Sequence, residues 1–270
     1  MIAEQQAPSA AAPDPAVDPD TILADLEAGL VRAAVPDPAA PHGWRVNALV
    51  RMAILARFAD RATSDWSVGP FEFRDRAGLP PRALAGGPWR VVPGGTAIRA
   101  GAHLEPGVVV MPPSYVNVGA WVGADTMIDS HVLVGSCAQV GARVHLSAAV
   151  QLGGVLEPPG ARPVIVEDDA FVGAGSALLD GVLVRRRAVI AAGVTLTGTS
   201  RLYDLVGERV LGGTAGEPLV VPERAVVIPG SRALEGAFAT RHGLAADTAL
   251  IVKLRDPGTD ARVALEAVLR

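Results

Sequence analysis

Few side chains in this 270-residue sequence are placed to do chemistry, and they sit close together. Asp129 and His131 stand two residues apart in Met127-Ile128-Asp129-Ser130-His131. A carboxylate and an imidazole, with an unperturbed pKa of about 6.5, can both move protons at neutral pH. His131 reads either as a base or as an exposed histidine with no role. Cys137 has no histidine at the spacing of a known nucleophile motif and is not expected to attack a substrate. His145 reads as a hydrogen-bonding residue within its own coil. Arg185-Arg186-Arg187 is a basic run, either a solvated face or an attraction for phosphates, and Lys253 and Arg255 are further cations for that role. Gly153-Gly154-Val155 opens a loop, and loops on rigid scaffolds carry function. There is no P-loop, no G-x-G-x-x-G after a strand and no Cys/His cluster, so neither a nucleotide fold nor a metal site is expected.

The element that positions these residues is a repeat. From Ile98 to Leu152, and again from Val166 to Leu196, a branched aliphatic residue returns every sixth position. Six fits neither the 3.6 of a helix nor a two-residue alternation, so the fixed period takes precedence over local propensity. A second, smaller residue follows each aliphatic by four positions, among them Ala102, Ser114, Thr126, Ala138 and Ser176. Two inward positions per hexapeptide suit a short strand plus a corner, and three hexapeptides close one coil of a parallel β-helix. Gly101, Gly107, Gly119, Gly135, Gly141, Gly173 and Gly181 fall between strands, where a turn needs positive φ or close backbone approach. Asp129 directly follows the inward Ile128 and must point outward. The register resumes fourteen residues after Leu152, so the Gly153 loop is an eight-residue excursion from one corner.

Composition sets the remaining bounds. Half of the residues are hydrophobic and only 4% aromatic, as a narrow prism filled by Val, Leu, Ile and Ala requires. A net charge of −4 argues against nucleic acid. No apolar run long enough to span a membrane and no signal-peptide pattern occur, and a single cysteine is consistent with a cytoplasmic protein. The chain divides into a disordered tail over 1–19, a helical domain and linker over 20–89, the β-helix over 90–200 and a C-terminal strand/helix cap over 201–270. Helices are expected from Asp20 to Pro36, burying Ile22, Leu23, Leu26, Leu30 and Val31, and from Trp44 to Arg61. In the cap, strands are expected over Arg209–Leu219, Ala225–Pro229 and Ala249–Leu254, and a final helix over Asp260–Arg270.

Five segments carry a family resemblance. They are Trp89-Arg90-Val91-Val92-Pro93, Met111-Pro112-Pro113-Ser114-Tyr115-Val116-Asn117-Val118-Gly119-Ala120, Met127-Ile128-Asp129, Val134-Gly135-Ser136-Cys137-Ala138-Gln139-Val140-Gly141 and Val144-His145-Leu146-Ser147, with Gly153-Gly154-Val155-Leu156-Glu157-Pro158 following. Over residues 44–270 the sequence resembles tetrahydrodipicolinate N-succinyltransferases of bacterial lysine (diaminopimelate) biosynthesis. The resemblance implies a left-handed β-helix, a homotrimer with active sites between subunits, and succinyl-CoA or another acyl-CoA as co-substrate, with no permanently bound cofactor. It further implies that Arg90 holds a carboxylate of the acceptor and that Asp129 sits near its nucleophilic nitrogen. Only a neutral nitrogen attacks a thioester, so a proton acceptor is required there. The Gly153-Gly154-Val155 segment, Arg185, Lys253 and Arg255 become candidates for contact with CoA.

The sequence also departs from that family. Its second active-site carboxylate falls here on Ala177, and an arginine two residues earlier falls on Gly175; His131 replaces a tryptophan. Loss of a matched charge pair suggests an acyl-CoA-dependent N-acyltransferase whose acceptor is another small amino or hydrazino acid. The alternatives are the lysine-pathway succinyltransferase itself and a non-catalytic trimeric scaffold.

Overall fold

The computed structural model describes residues 18–157, 161–214 and 216–260. The tail expected over 1–19, apart from its last two residues, and the final helix beyond Asp260 lie outside the described residues.

The chain folds as a left-handed parallel β-helix, with each hexapeptide supplying a two-residue strand and residues one coil apart stacking in register. The first face stacks Arg90–Val91, Val109–Val110, Met127–Ile128, His145–Leu146, Phe171–Val172 and Val189–Ile190. The second stacks Ala97–Ile98 through Tyr115–Val116, Leu133–Val134, Gln151–Leu152 and Ala177–Leu178 to Thr195–Leu196. The third runs from His103–Leu104 through Trp121–Val122, Gln139–Val140 and Ile165–Val166 to Leu183–Val184. Every aliphatic of the six-residue series points inward; Ile98, the most exposed, keeps 4% of its surface.

Three inward positions are hydroxyls, and they share one geometry. Ser114 Oγ donates to the carbonyl of Asp129 (2.8 Å) and accepts from the amide of Val132 (3.1 Å). Thr126 bridges Gly141 and Val144 (2.8 and 3.1 Å), and Ser176 bridges Ala191 and Val194 (2.9 and 3.2 Å). At other corners the amide bonds directly to the carbonyl three residues back, as Ala138 does to Gly135. A buried hydroxyl therefore wedges open the turn of the next coil and satisfies both backbone groups that it separates.

The corner residue three positions after the aliphatic adopts positive φ at every corner of the series except those at Pro113, Val155 and Thr199. Gly101, Gly107, Gly119 and Gly181 occupy this position, but so do Asp125, His131, Cys137, Arg143, Asp169 and Arg187, with φ of 57° to 65° for the first three and 55° to 59° for the others. Gly135, Gly141 and Gly173 serve the other purpose: a Cβ there would meet backbone of the following coil at 2.2, 2.5 and 2.4 Å. Down the corner between the third and first faces the sequence reads Asp125, Arg143, Asp169, Arg187. Arg143 grips Asp169 with two bonds of 2.7 and 2.9 Å.

The N-terminal part differs from the expectation in its boundaries. Helix α1 is Pro19–Ala28, capped by Asp18 and closed by Gly29 at φ 80°, so it stops well before Pro36 and leaves Leu30 76% exposed. Ala34–Pro36 and Trp44–Val46 form an antiparallel pair, so Trp44 to Val46 is strand. Proline and a β-branched or aromatic neighbour suit that pairing better than a helix, and Trp44 Nε1 donates to Glu167 at 2.9 Å. Helix α2 is Ala48–Ala59. Leu23, Leu26, Val50 and Ile54 pack with Leu79 onto Val118 and Cys137, so both helices rest on a corner of the β-helix.

Past residue 200 the stack continues although the sequence period fades. Val220–Val221 extends the third face and Ala225–Ala233 the first, after an inserted hairpin of Arg201–Asp204 and Arg209–Gly212. Strand Ala245–Leu254 then pairs antiparallel with Ala225–Ala233. The strand expected over Arg209–Leu219 ends at Gly212 because Gly212-Gly213 interrupts it.

Candidate active site

A groove of about 770 Å³ lies along the first face. Arg90 and Asp129 both line it, over a floor of Met111, Met127 and Phe171, with Gly173, Ala174 and Ala192 at its far end. The register explains the convergence: Arg90, Val109, Met127, His145 and Phe171 stack one per coil, and Asp129 follows Ile128 onto the same face. Arg90 is exposed and forms no ion pair among the described residues. Asp129 is half-buried; its Oδ1 accepts from the Ser130 amide at 2.7 Å, and Oδ2 has no hydrogen bond among the described residues. The groove thus offers an unpaired cation and a free carboxylate oxygen two coils apart, roughly 10 Å at a coil spacing near 4.8 Å.

The turn that carries Asp129 is one of the three held open by a hydroxyl. Ser114 fixes it from the coil before, which separates two effects experimentally. Ser114→Ala and Thr126→Ala should each lower stability by about 1–3 kcal/mol, the cost of stranding buried backbone groups. Only Ser114→Ala should also lower turnover, since Thr126 supports a turn outside the groove. Equal activity in the two variants would show that the wedge does not position Asp129.

The other predicted residues are dispersed. His131 occupies the exposed positive-φ corner and does not line the groove. Gly153, Gly154 and Val155 follow the second face; the amides of Gly153 and Val155 bond to Leu178 and Ser136. Arg185 donates to Glu167 at 2.8 Å, Lys253 to Asp256 at 2.7 Å, and Arg255, buried, pairs with Asp260 and reaches the Asp169 carbonyl at 2.8 Å. Ala177 belongs to the second face and Gly175 to the corner before it, with open space where its Cβ would stand. Neither lines the groove. His145 does, buried and 5.2 Å from the Phe171 ring. Met111, Met127 and Phe171 went unnoticed in the sequence, although their outward position beside an inward aliphatic was readable.

Cys137 is fully buried, and burial pushes its thiol up to about 11. The native protein should therefore titrate no thiol with a disulfide reagent at pH 8 and one in denaturant; reaction in the native state would contradict the packing. Among the described residues no group of three or more His, Cys, Asp or Glu is arranged to hold a metal, and no helix is long and apolar enough to cross a membrane.

Comparison with known proteins bears on what this groove does. A relative from Idiomarina loihiensis, named 2,3,4,5-tetrahydropyridine-2,6-dicarboxylate N-succinyltransferase, is 43% identical over 235 residues, which span 84% of this chain and 80% of the relative. The chain belongs to that N-succinyltransferase family. A relative of the same name from Bordetella pertussis is 40% identical over 232 residues, again 84% of this chain and 80% of the relative. The family described as the hexapeptide repeat of succinyl-transferase matches residues 163–198. Family membership makes the chain an acyltransferase enzyme.

Proposed function

We propose that the protein transfers the succinyl group of succinyl-CoA to the nitrogen of 2,3,4,5-tetrahydropyridine-2,6-dicarboxylate. The observation that carries this reading is the pairing, in one groove, of an unpartnered Arg90 with a free Asp129 oxygen. A dicarboxylate needs a cation, and among the described residues Arg90 is the one guanidinium lining the groove. The attacking nitrogen needs a hydrogen-bond acceptor that orients it and draws off its proton, which Asp129 Oδ2 supplies. Because the ring nitrogen of this tetrahydropyridine is a C=N imine without a proton, water first adds across that bond to give a neutral ring N–H. That nitrogen then adds to the thioester carbon, its proton passes to Asp129, the tetrahedral oxyanion collapses, and the CoA thiolate leaves and takes up a proton. In the same proposal the enzyme is a cytoplasmic homotrimer, with its sites completed by a neighbouring subunit and the acyl-CoA lying between them. Trimer mass by light scattering tests the assembly.

The relatives' names favour this acceptor over another amino or hydrazino acid. Ala177 and Gly175 lie outside the groove of the chain, so the charges lost there do not by themselves remodel its lining. The test is CoA release from succinyl-CoA with this dicarboxylate, expected at an ordinary enzymatic rate of about 1–10³ s⁻¹. Release with a different amino or hydrazino acid, and none with the dicarboxylate, would replace the reading.

A further inference from the structure

On the third face, away from the groove, a second cavity of about 390 Å³ is bordered by Arg32, Trp44, Trp121, Glu105, Asp168 and Arg186. The Arg32 guanidinium lies 4.0 Å from the Trp121 ring centroid and 5.7 Å from that of Trp44. Its Nε donates to Gln139 at 3.1 Å, and among the described residues neither terminal nitrogen has a hydrogen bond or ion pair. Burial draws the Arg32 pKa down to about 10, opposed through space by Glu105 and Asp168. Those carboxylates act on Arg32 without touching it. Glu105 Oε2 accepts from the Ala124 amide and Asp168 Oδ1 from the Ala142 amide, while Asp168 Oδ2 lies 3.8 Å from the half-exposed Arg143 guanidinium.

We propose that this cavity binds a small zwitterion of the α-amino-acid class, its carboxylate on the terminal nitrogens of Arg32 and its ammonium between Glu105 and Asp168. Arg32, Glu105 and Asp168 border one cavity together with Arg186 and Glu167. Glu167 is already bonded to Trp44 and Arg185, but Arg32 touches neither Glu105 nor Asp168, and that gap is one such a ligand closes. A planar carboxylate matches the guanidinium fork. The indole faces of Trp44 and Trp121 supply an apolar wall for the ligand's side chain and hold Arg32 in place. A simple anion would leave Glu105 unanswered, and a simple amine would leave Arg32 unpaired. Because the site is on a different face from Arg90 and Asp129, the proposal does not depend on the acceptor assigned above.

Two of the four tryptophans border the cavity, so intrinsic fluorescence reports its occupancy. The full-length protein would be titrated with L-lysine, L-leucine and glycine, and with succinate and n-butylamine as the separate halves. At least one amino acid should give a saturable change with Kd of about 1 mM or below, and neither half should match it. Arg32→Gln should abolish the response; Glu105→Gln and Asp168→Asn, which keep their bonds to the Ala124 and Ala142 amides, should each weaken it about tenfold. If Arg32→Gln does not fold, the two carboxamide variants decide. No saturable response to any amino acid, an equal response to succinate alone, or unchanged affinity in both carboxamide variants would overturn the proposal.

Discussion

Asp129→Asn and Arg90→Ala should each reduce succinyl transfer at least about tenfold while the fold persists. Both side chains face the groove and neither supports the core, so the loss belongs to substrate contact. A hydrogen bond to a charged group contributes about 1.5–3 kcal/mol, or roughly 10–150-fold in rate or affinity at about 1.4 kcal/mol per decade. The two variants should differ in kind. Arg90→Ala removes a contact made equally in the bound and transition states, so the acceptor KM should rise with little change in kcat. Asp129→Asn keeps the shape and loses the proton acceptor, so kcat should fall. Steady-state kinetics over both substrates tests this, and unchanged constants in both variants would remove the groove from the mechanism.

Leu146→Ala should destabilise the protein by about 2–5 kcal/mol, measured as a lowered denaturation midpoint. Leu146 is fully buried on the first face, one coil beyond Ile128, and its side chain fills a prism too narrow to collapse around a void. Ile128→Val, losing a single methyl from the neighbouring rung, should cost about 0.5–1.5 kcal/mol by the same reasoning. A loss under about 1 kcal/mol for Leu146→Ala would mean that the coil relaxes into the space. Within a solenoid each coil touches only its neighbours, so the damage should centre on the rungs holding Ile128 and Val172.

The β-helix was legible because its signal is redundant: the same two inward positions recur in every hexapeptide, and no single substitution hides them. What decided the groove was a longer spacing, that of a full coil. Arg90 and Asp129 are far apart in sequence and come together only because intervening hexapeptides complete whole coils. The inward hydroxyls were visible as small residues, but their role was not, since Ser114 acts on a turn fifteen residues ahead. Trp44 to Val46 misled for a different reason. Val46, Leu49 and Val50 fit a helical stripe, and the pairing with Ala34–Pro36 that overrides it is a tertiary event. Past Leu196 the stack outlived its period because a hairpin, rather than a corner, joins consecutive rungs.

The corner of alternating sign has a bearing on how the chain finds one pairing among many. Apart from Ser114, Thr126 and Ser176, the inward positions of the core are aliphatic, so a coil could dock on the wrong neighbour with little loss of apolar burial. The sequence Asp125, Arg143, Asp169, Arg187 tells the rungs apart. If a coil were skipped, Asp125 would meet Asp169 and Arg143 would meet Arg187, like against like at strand spacing. Mispaired stacks are thereby penalised by electrostatics where hydrophobicity is indifferent. Shortening the solenoid by one coil should carry that repulsion into the product, whereas removing two in succession would restore the alternation.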